Sequence, residues 1–204
     1  PDYRGAAPIN WAVIRGEERT GVSVLEMTPD LDAGPVVGER AVDIGPQETA
    51  GELFERLAQE GALLAVEVLG RLERRGELTG RPQPAKTGFF ARKLSKKDGR
   101  IDWALPARDV FNRTRGLTPW PGAWCRFHHD GRTVRITLLR VHTAQKVPPG
   151  DEEPGTVLET DGEIVVRTGE GAVAVDRLKP AGSRAMSAED FIHGYHVEPG
   201  DKFE

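Results

Sequence analysis

Two acidic side chains in one short loop are the first candidates for chemistry. Asp30 and Asp32 lie in the segment 29–35 (PDLDAGP), which contains proline and glycine and separates two strand-like segments. A carboxylate on such a loop projects from rigid elements and can take part in catalysis. Asp32 is therefore the leading catalytic candidate. The alternative is that either aspartate only caps a turn through its own backbone.

A second candidate is the loop at the start of the chain, residues 1–8 (PDYRGAAP). Its prolines and glycine fix unusual backbone angles, and an aromatic ring and a guanidinium lie between them, a composition typical of an active-site loop. Such a loop normally extends from a scaffold on both sides. We therefore expect the chain to be the later part of a longer protein.

Charge is distributed unevenly along the chain. Residues 1–84 hold 9 Lys and Arg against 15 Asp and Glu, residues 85–146 hold 14 against 4, and residues 147–204 hold 5 against 13. A basic middle segment between acidic flanks predicts an anionic partner. The alternative is chance clustering on a solvated surface.

Composition narrows the class of protein. The 204 residues are 38% hydrophobic and 29% charged, which is typical of soluble globular domains. The chain has no apolar run of the roughly 18 residues that a membrane span needs. Cys125 is the single cysteine, which excludes an internal disulfide and favours a reducing compartment, the cytoplasm. We interpret Cys125 as a small apolar residue on a strand.

The first part of the chain is predicted to mix helices and strands. Residues 9–15 are expected to be helical, and residues 20–28 and 36–44 to form two antiparallel strands. The strongest predicted helix covers residues 50–75, because Thr49 and Glu52 have the spacing of a capping box and Gly76 ends the apolar pattern.

The rest of the chain is predicted to be a linker followed by a small β-domain. Residues 77–100 lack periodicity and form a basic linker between domains 1–76 and 101–204. A short helix at 106–115 precedes five short strands that are separated by Asp-Gly and Glu-Gly turns, and Ser187 begins a closing helix. The predicted strands are 123–128, 133–141, 155–159, 164–168 and 172–178.

Several short motifs occur along the chain in a recognisable order. They are residues 1–9, Thr20-Gly21-Val22, Leu31-Asp32-Ala33-Gly34, Lys93-Leu94-Ser95-Lys96, Arg100-Ile101-Asp102-Trp103, Pro119-Trp120-Pro121-Gly122, Pro180-Ala181-Gly182 and Met186-Ser187-Ala188. Together they resemble the later part of the methionyl-tRNA formyltransferase family. The resemblance covers nearly the whole chain and implies the fold class α/β plus β. The implied fold comprises the C-terminal half of a Rossmann-like formyltransferase domain, a linker and an OB-fold-like β-barrel.

The resemblance implies transfer of a formyl group from 10-formyltetrahydrofolate to the α-amino group of methionine on initiator tRNA. The family's catalytic set is an Asn, a His two residues later and an Asp. The Asp corresponds to Asp32, whereas the motif that carries the Asn and the His contributes only its final proline, Pro1. Pro1, Arg4 and Gly5 are expected to bind the folate. Because Asp32 is the single member of the set in this chain, we predict that these 204 residues have no formyltransferase activity alone.

The basic segment is expected, by the same resemblance, to hold tRNA through its phosphate backbone. Trp120 and Trp124 either offer stacking faces or pack in the core, and the sequence favours packing. The residues expected to bind tRNA are Lys93, Lys96, Lys97, Arg100, Arg113, Arg115 and Arg135.

Two other functions fit the same residues. One is a non-catalytic tRNA-binding module, and the other is a related folate-dependent formyltransferase that acts on a UDP-sugar. No metal site is expected, because adjacent His128 and His129 point to opposite faces of a strand, and His193 and His196 lack a third ligand. We expect a monomer.

Overall fold

The computed structural model describes residues 2–84 and 88–204, so the predicted folate-binding residue Pro1 lies outside the described residues. The chain divides into two compact units. Unit 1 comprises Pro1–Val13 and Glu17–Leu94, and unit 2 comprises Ile14–Gly16 and Ser95–Glu204.

Unit 1 is built from a hairpin, a long helix and a short parallel pair of strands. Strand β1 (Arg4–Gly5) precedes helix α1 (Pro8–Ile14). The hairpin comprises β2 (Arg19–Leu25) and β3 (Val36–Asp43), and helix α2 (Ala50–Arg75) packs on it. Strand β4 (Phe90–Ala91) pairs with β1 in parallel.

Helix α2 has the predicted limits and the predicted cap. The Glu52 N–H donates to Thr49 Oγ1 at 3.3 Å, and the Thr49 N–H donates to Glu52 Oε2 at 2.8 Å, so two backbone donors of the first turn are satisfied. Gly76 follows the helix with φ of 77°, in the left-handed region that glycine adopts readily. The buried face of α2 carries Leu53 and Leu57, which pack in one cluster with α1 and β3.

The predicted linker, 77–100, is divided between the two units after Leu94. Arg81, Phe89 and Ala91 are joined to the rest of unit 1 by backbone hydrogen bonds. The Val36 N–H donates to the Arg81 carbonyl at 2.8 Å, and the Arg81 N–H donates to the Val36 carbonyl at 2.9 Å. The Tyr3 N–H donates to the Phe89 carbonyl at 2.8 Å. Such contacts leave no repeating apolar pattern, which is why the sequence indicated a linker. The domain limits 1–76 and 101–204 stay a prediction.

Unit 2 is a nearly closed antiparallel β-barrel with helices at its ends. A 3-10 helix (Lys96–Gly99) and helix α3 (Ala107–Gly116) precede the sheet. The sheet order is β11-β5-β6-β9-β8-β7, and β10 pairs with β9. The strands are β5 (Ala123–His129), β6 (Arg132–Thr143), β7 (Val157–Glu159), β8 (Ile164–Arg167), β9 (Ala172–Pro180), β10 (Met186–Ser187) and β11 (Lys202–Phe203), and α4 (Ala188–Tyr195) follows β10.

The short strand β11 joins the two ends of the sheet. It pairs with β5, and the Val157 N–H donates to the Asp201 carbonyl at 2.8 Å on the other side. The aromatic rings of Phe127, Phe191 and Phe203 meet inside the barrel. The five predicted strands all occur, whereas β10 and β11 were missed because two residues are too few to show an alternating pattern.

Two further expectations concern burial. Cys125 is fully buried on β5, and this burial raises the pKa of its thiol above the ordinary value. The interpretation of Cys125 as a packed apolar residue is therefore confirmed.

Within the described residues, no helix has both the length and the apolar character that a membrane crossing requires.

Candidate functional site

A cleft of about 410 Å³ in unit 1 brings together residues from three separate segments. Asp2, Arg4 and Gly5 come from the opening loop, Asp32 comes from the loop between β2 and β3, and residues 81–84 complete the wall. Three of the predicted site residues, Arg4, Gly5 and Asp32, therefore line one cavity. Asp30, the other acidic candidate, does not line it.

The loop that carries Asp32 has an unusual backbone. Asp32 has φ of 52°, a left-handed conformation that is uncommon outside glycine. The loop is closed by the Glu26 N–H, which donates to the Pro35 carbonyl at 2.9 Å. Gly34 is buried there, and a Cβ atom on it would lie 1.8 Å from the Glu26 carbonyl oxygen.

The Asp32 side chain is exposed, and its carboxylate makes no hydrogen bond to the residues that the structure describes. The backbone carbonyls of Asp32 and Gly34, by contrast, accept hydrogen bonds from the side chain of Gln83. A fixed backbone with an uncommitted carboxylate is the arrangement expected of a group that acts on a substrate or orients a second catalytic side chain.

Gly5 and Arg4 line the same cleft. Gly5 has φ of 130°, and a Cβ atom there would lie 2.5 Å from the Ala91 carbonyl oxygen, so the pairing of β1 with β4 requires glycine. The Arg4 guanidinium donates from Nη2 to Gln83 Oε1 at 2.9 Å. Arg4 Nε is buried and has no hydrogen-bond partner among the described residues.

Gln83 is a residue of the cleft that the sequence did not single out. Its Nε2 donates to the Asp32 carbonyl at 3.0 Å and to the Gly34 carbonyl at 2.7 Å. The available signal is a polar side chain between Pro82 and Pro84 in a segment without periodicity. That signal is weak, because such segments are common in loops.

A second candidate site is a basic surface on unit 2, formed by Lys96, Lys97, Arg100, Arg126 and Arg135. All five side chains are exposed. Trp124 connects them: its Nε1 donates to the Lys96 carbonyl at 3.2 Å, and the guanidinium carbon of Arg135 lies 4.2 Å from the centre of its ring. Arg126 is paired with Arg135 across β5 and β6, so two cations lie side by side.

The 3-10 turn presents its two lysines to solvent. Asp98 Oδ2 accepts hydrogen bonds from the Ser95 N–H and from Ser95 Oγ, both at 2.7 Å, which fixes the turn while Lys96 and Lys97 stay exposed. The Ile101 N–H donates to the Trp124 carbonyl at 2.9 Å and attaches the following residues to the barrel. The basic surface thus lies on a fixed scaffold.

Three other residues expected to bind tRNA lie outside this basic surface. Arg115 is buried, and its Nε and Nη2 donate to Asn112 Oδ1 at 3.0 and 2.9 Å, so its guanidinium supports helix α3. Arg113 is half-buried and directs Nη2 at the Asp98 carbonyl, 3.4 Å away. Lys93 is exposed and belongs to unit 1. Their contact with RNA stays a prediction, and the burial of Arg115 removes it from the surface that we propose below.

The two tryptophans differ in exposure. Trp124 is half-buried beneath Arg135, whereas Trp120 is 51% exposed, so the expected core packing does not hold for Trp120. The bonds Thr118–Pro119 and Trp120–Pro121 that flank this residue are both cis.

One group of three potential metal ligands occurs in the part of the chain that the structure describes. It comprises His142, Glu163 and Asp176, on the outer side of the barrel. His142 Nδ1 lies 3.1 Å from both oxygens of Asp176, and its Nε2 lies 3.6 Å from Glu163. Both ring nitrogens therefore already face carboxylates within the group.

Comparison with known proteins places both units in one family. The formyl transferase model matches residues 1–69, and the model of the formyl transferase C-terminal domain matches residues 93–196. The chain belongs to the formyltransferase family. Its relatives include the methionyl-tRNA formyltransferase of Parvibaculum lavamentivorans, 42% identical over 98% of this chain, and that of Methylobacterium sp. (strain 4-46), 44% identical over 99%. The chain spans 63% of the length of each of these two relatives.

Solved structures show the same fold at low identity. HypX from Aquifex aeolicus, in complex with tetrahydrofolic acid, has a TM-score of 0.69 and 22% identity over 96% of this chain and 34% of its own. The methionyl-tRNA formyltransferase from Clostridium thermocellum has a TM-score of 0.54 and 20% identity over 71% of this chain and 60% of its own. The N-formyltransferase from Helicobacter canadensis, in complex with folinic acid and dTDP-3-aminofucose, matches with a TM-score of 0.65 and 12% identity, over 86% of this chain and 62% of its own.

Proposed function

We propose that this chain serves a methionyl-tRNA formyltransferase, which transfers the formyl group of 10-formyltetrahydrofolate to the amino group of methionyl-initiator tRNA. The observation that carries the proposal is the cleft in unit 1, where Asp32 lies with Arg4 and Gly5. Relatives that bear this name are 42–44% identical along nearly the whole chain, which supports the same assignment.

The reaction needs groups that handle a proton and a developing charge. The amine attacks the formyl carbon, an oxyanion forms, and the attacking ammonium must lose its proton. We assign to Asp32 the task of orienting a histidine of the family's catalytic set and stabilising its charged form, or of ordering water at the folate. Its uncommitted carboxylate supports this role.

The residues of the cleft are compatible with a folate. Arg4 has a buried Nε without a partner among the described residues, and such a donor suits a ligand that offers hydrogen-bond acceptors. Arg4 and Gly5 would hold the folate, which supplies the formyl group as the donor substrate. Gly5 allows β1 to pair with β4 beside the cleft, because a Cβ atom there would lie 2.5 Å from the Ala91 carbonyl oxygen.

The barrel of unit 2 is, in this proposal, an OB-fold whose basic surface holds the tRNA backbone. Lys96, Lys97, Arg100, Arg126 and Arg135 contact phosphates, and Trp124 holds Arg135 in position through its ring. Phosphate contacts of this kind position the nucleic acid without reading its sequence.

Formyl transfer measured with the protein expressed from its complete reading frame tests the catalytic part. We expect methionyl-tRNA to be formylated, and Asp32→Asn to lower kcat by about 10²–10⁴-fold, the range of acid–base groups. Asp30→Asn is the matched control, because Asp30 lies two residues away and does not line the cleft. Equal activity of Asp32→Asn and the unaltered protein would refute the assignment.

The acceptor and the requirement for more than this chain are tested in the same assay. A UDP-amino sugar replaces methionyl-tRNA as the acceptor in one arm, and its preferred formylation would favour the sugar alternative. The 204-residue chain alone is expected to give no turnover, and turnover on methionyl-tRNA would contradict that prediction. Binding of tRNA without formylation by the complete protein would favour the non-catalytic module.

Salt dependence of tRNA binding tests the basic surface. Replacing Lys96 and Lys97 by Glu removes two phosphate contacts, so the slope of log K against log salt should become shallower by roughly 1.4 to 1.8. Lys146→Glu is the control, since it changes charge beyond the other end of β6. Affinity that is independent of salt, or unaffected by the double replacement, would contradict the proposal.

A further inference from the structure

The Gln83 side chain contacts both Arg4 and the loop that carries Asp32. Its Oε1 accepts a hydrogen bond from Arg4 Nη2 at 2.9 Å, and its Nε2 donates to the carbonyls of Asp32 and Gly34 at 3.0 and 2.7 Å. The chemistry of the partners fixes the orientation of the amide. A guanidinium offers only donors and a carbonyl only accepts, so the reversed amide would place like groups together.

The backbone around Gln83 is held independently of these contacts. Pro82 and Pro84 restrict the chain on both sides, and the reciprocal hydrogen bonds between Arg81 and Val36 attach this segment to β3. Gly80 lies so close to the hairpin that a Cβ atom would come within 2.4 Å of Pro35. Gln83 is therefore a fixed point against which the Asp32 loop is held.

The Asp32 loop needs such support. Its strained residue has φ of 52°, and the other hydrogen bonds seen within the loop join Glu26 to Pro35 and Thr28 Oγ1 to the Asp30 carbonyl. Neither of these acts on the carbonyls of Asp32 and Gly34. The Gln83 amide supplies the hydrogen bonds to these two carbonyls and leaves the Asp32 carboxylate uncommitted.

The same amide orients Arg4 without neutralising it. A neutral carbonyl oxygen accepts from Nη2, so the cation keeps its full charge and its buried Nε remains without a partner among the described residues. A carboxylate at position 83 would pair with Arg4 and would also repel the two loop carbonyls. The uncharged amide is thus the side chain that serves both neighbours.

We propose that Gln83 is a positioning residue that sets the relative placement of Asp32 and Arg4 in the cleft. The catalytic part of this inference rests on the proposed function. Gln83 touches no reacting atom in this account and acts through the two groups that it holds.

The test compares Gln83→Met and Gln83→Glu with the unaltered protein, all expressed from the complete reading frame. Met keeps the length of the side chain and removes its hydrogen bonds. We expect kcat for formyl transfer to fall roughly 10- to 100-fold, the effect of a displacement of about 1 Å in an active site. KM for 10-formyltetrahydrofolate should rise and KM for methionyl-tRNA should stay unchanged. Gln47→Met, at an exposed glutamine of the same unit, is the matched control.

A double-mutant cycle separates positioning from general stability. If Gln83 acts through Asp32, Gln83→Met should lower kcat by less than about twofold in a protein that already carries Asp32→Asn. Additive losses, or kcat of Gln83→Met within twofold of the unaltered protein, would overturn the proposal. Gln83→Glu should be at least as impaired as Gln83→Met, and activity near that of the unaltered protein would also overturn it.

Hydrogen exchange provides a readout that needs no enzymatic activity. The amide of Glu26, which donates to the Pro35 carbonyl and closes the loop, should exchange faster in Gln83→Met than in the unaltered protein, while the amides of α2 stay unchanged. Unchanged exchange at Glu26 would refute the role of Gln83 whatever the reaction is. If the unaltered protein formylates neither methionyl-tRNA nor an amino sugar, the proposed function is wrong, and the catalytic part of the role of Gln83 is wrong with it. The effect of Gln83 on the loop is then decided by hydrogen exchange alone.

Discussion

Replacing Gly34 by alanine should damage the candidate site more than it damages the fold. The added Cβ would lie 1.8 Å from the Glu26 carbonyl oxygen, so the two segments must separate by about 1.6 Å to reach an ordinary contact of 3.4 Å. A shift of that size breaks the 2.9 Å hydrogen bond from Glu26 to Pro35 and disturbs the bond from Gln83 to Gly34.

Two lost hydrogen bonds cost about 2 kcal/mol, and alanine returns about 0.4–1 kcal/mol by restricting the unfolded chain, so the net loss should be about 1–2 kcal/mol. The loop shift displaces Asp32 by a comparable distance, for which kcat should fall about 100-fold. Urea unfolding of unit 1 and formyl transfer by the complete protein measure the two effects.

Gly61→Ala is the control for this substitution. Gly61 lies inside α2, where a Cβ atom would meet only Val22 at 3.9 Å. It should therefore stabilise the unit by about 0.5–1 kcal/mol and leave kcat unchanged. A Gly34→Ala protein with unaltered urea midpoint and activity would refute the close approach of residues 26 and 34.

Two further predictions concern unit 2. The hydrogen bond to Asp201 raises the pKa of His129 against the opposing effect of burial, with Asp130 and Glu198 adding to the raise. Stability from this pair is thus complete below the unfolded pKa of about 6.5 and is lost as the pH rises through the higher folded pKa. As the pH rises through that window, the Tm of the unaltered chain should fall, and the Tm of His129→Gln should fall less. His193→Gln, at an exposed histidine, is the control and should behave like the unaltered chain. An equal dependence of Tm on pH in all three proteins would contradict the prediction. Cys125 is fully buried with a raised thiol pKa, so alkylating reagents should modify it only after unfolding; rapid labelling of the native chain, measured by mass, would show that the barrel opens there.

The sequence predicted those elements whose information is local. Helix α2 has both of its predicted limits because Thr49, Glu52 and Gly76 mark its ends within a few residues of the backbone groups that they satisfy. Strand β10 was missed because its two residues are too few to show an alternating pattern, and β11 because its two residues are also specified by pairing with β5, far away in the chain. The linker was predicted for the same reason, since the pairing of β1 with β4 joins residues far apart in the chain.

The same distinction between local and long-range information applies to the candidate site. Asp32 and Arg4 could be selected as residue types in unusual loops, whereas their common cleft and the amide that joins them depend on a segment some 50 residues further along. Burial separated Arg115 from the exposed cations, because its partner, Asn112, is one helical turn away and both side chains face inward. The sequence shows that Arg115 is charged but does not show whether its side chain is buried or exposed.

The arrangement of Arg126 and Arg135 bears on the partner that we propose for the basic surface. Like charges directly opposite on neighbouring strands destabilise a sheet, so this pair lowers the stability of the free barrel. Trp124 offsets part of that cost by stacking against Arg135 at 4.2 Å, yet Lys96, Lys97 and Arg100 add further positive charge around it. An anionic ligand that contacts both arginines would turn this repulsion into attraction. Two phosphates of a nucleic acid backbone would do so, and each phosphate contact would steepen the dependence of binding on salt.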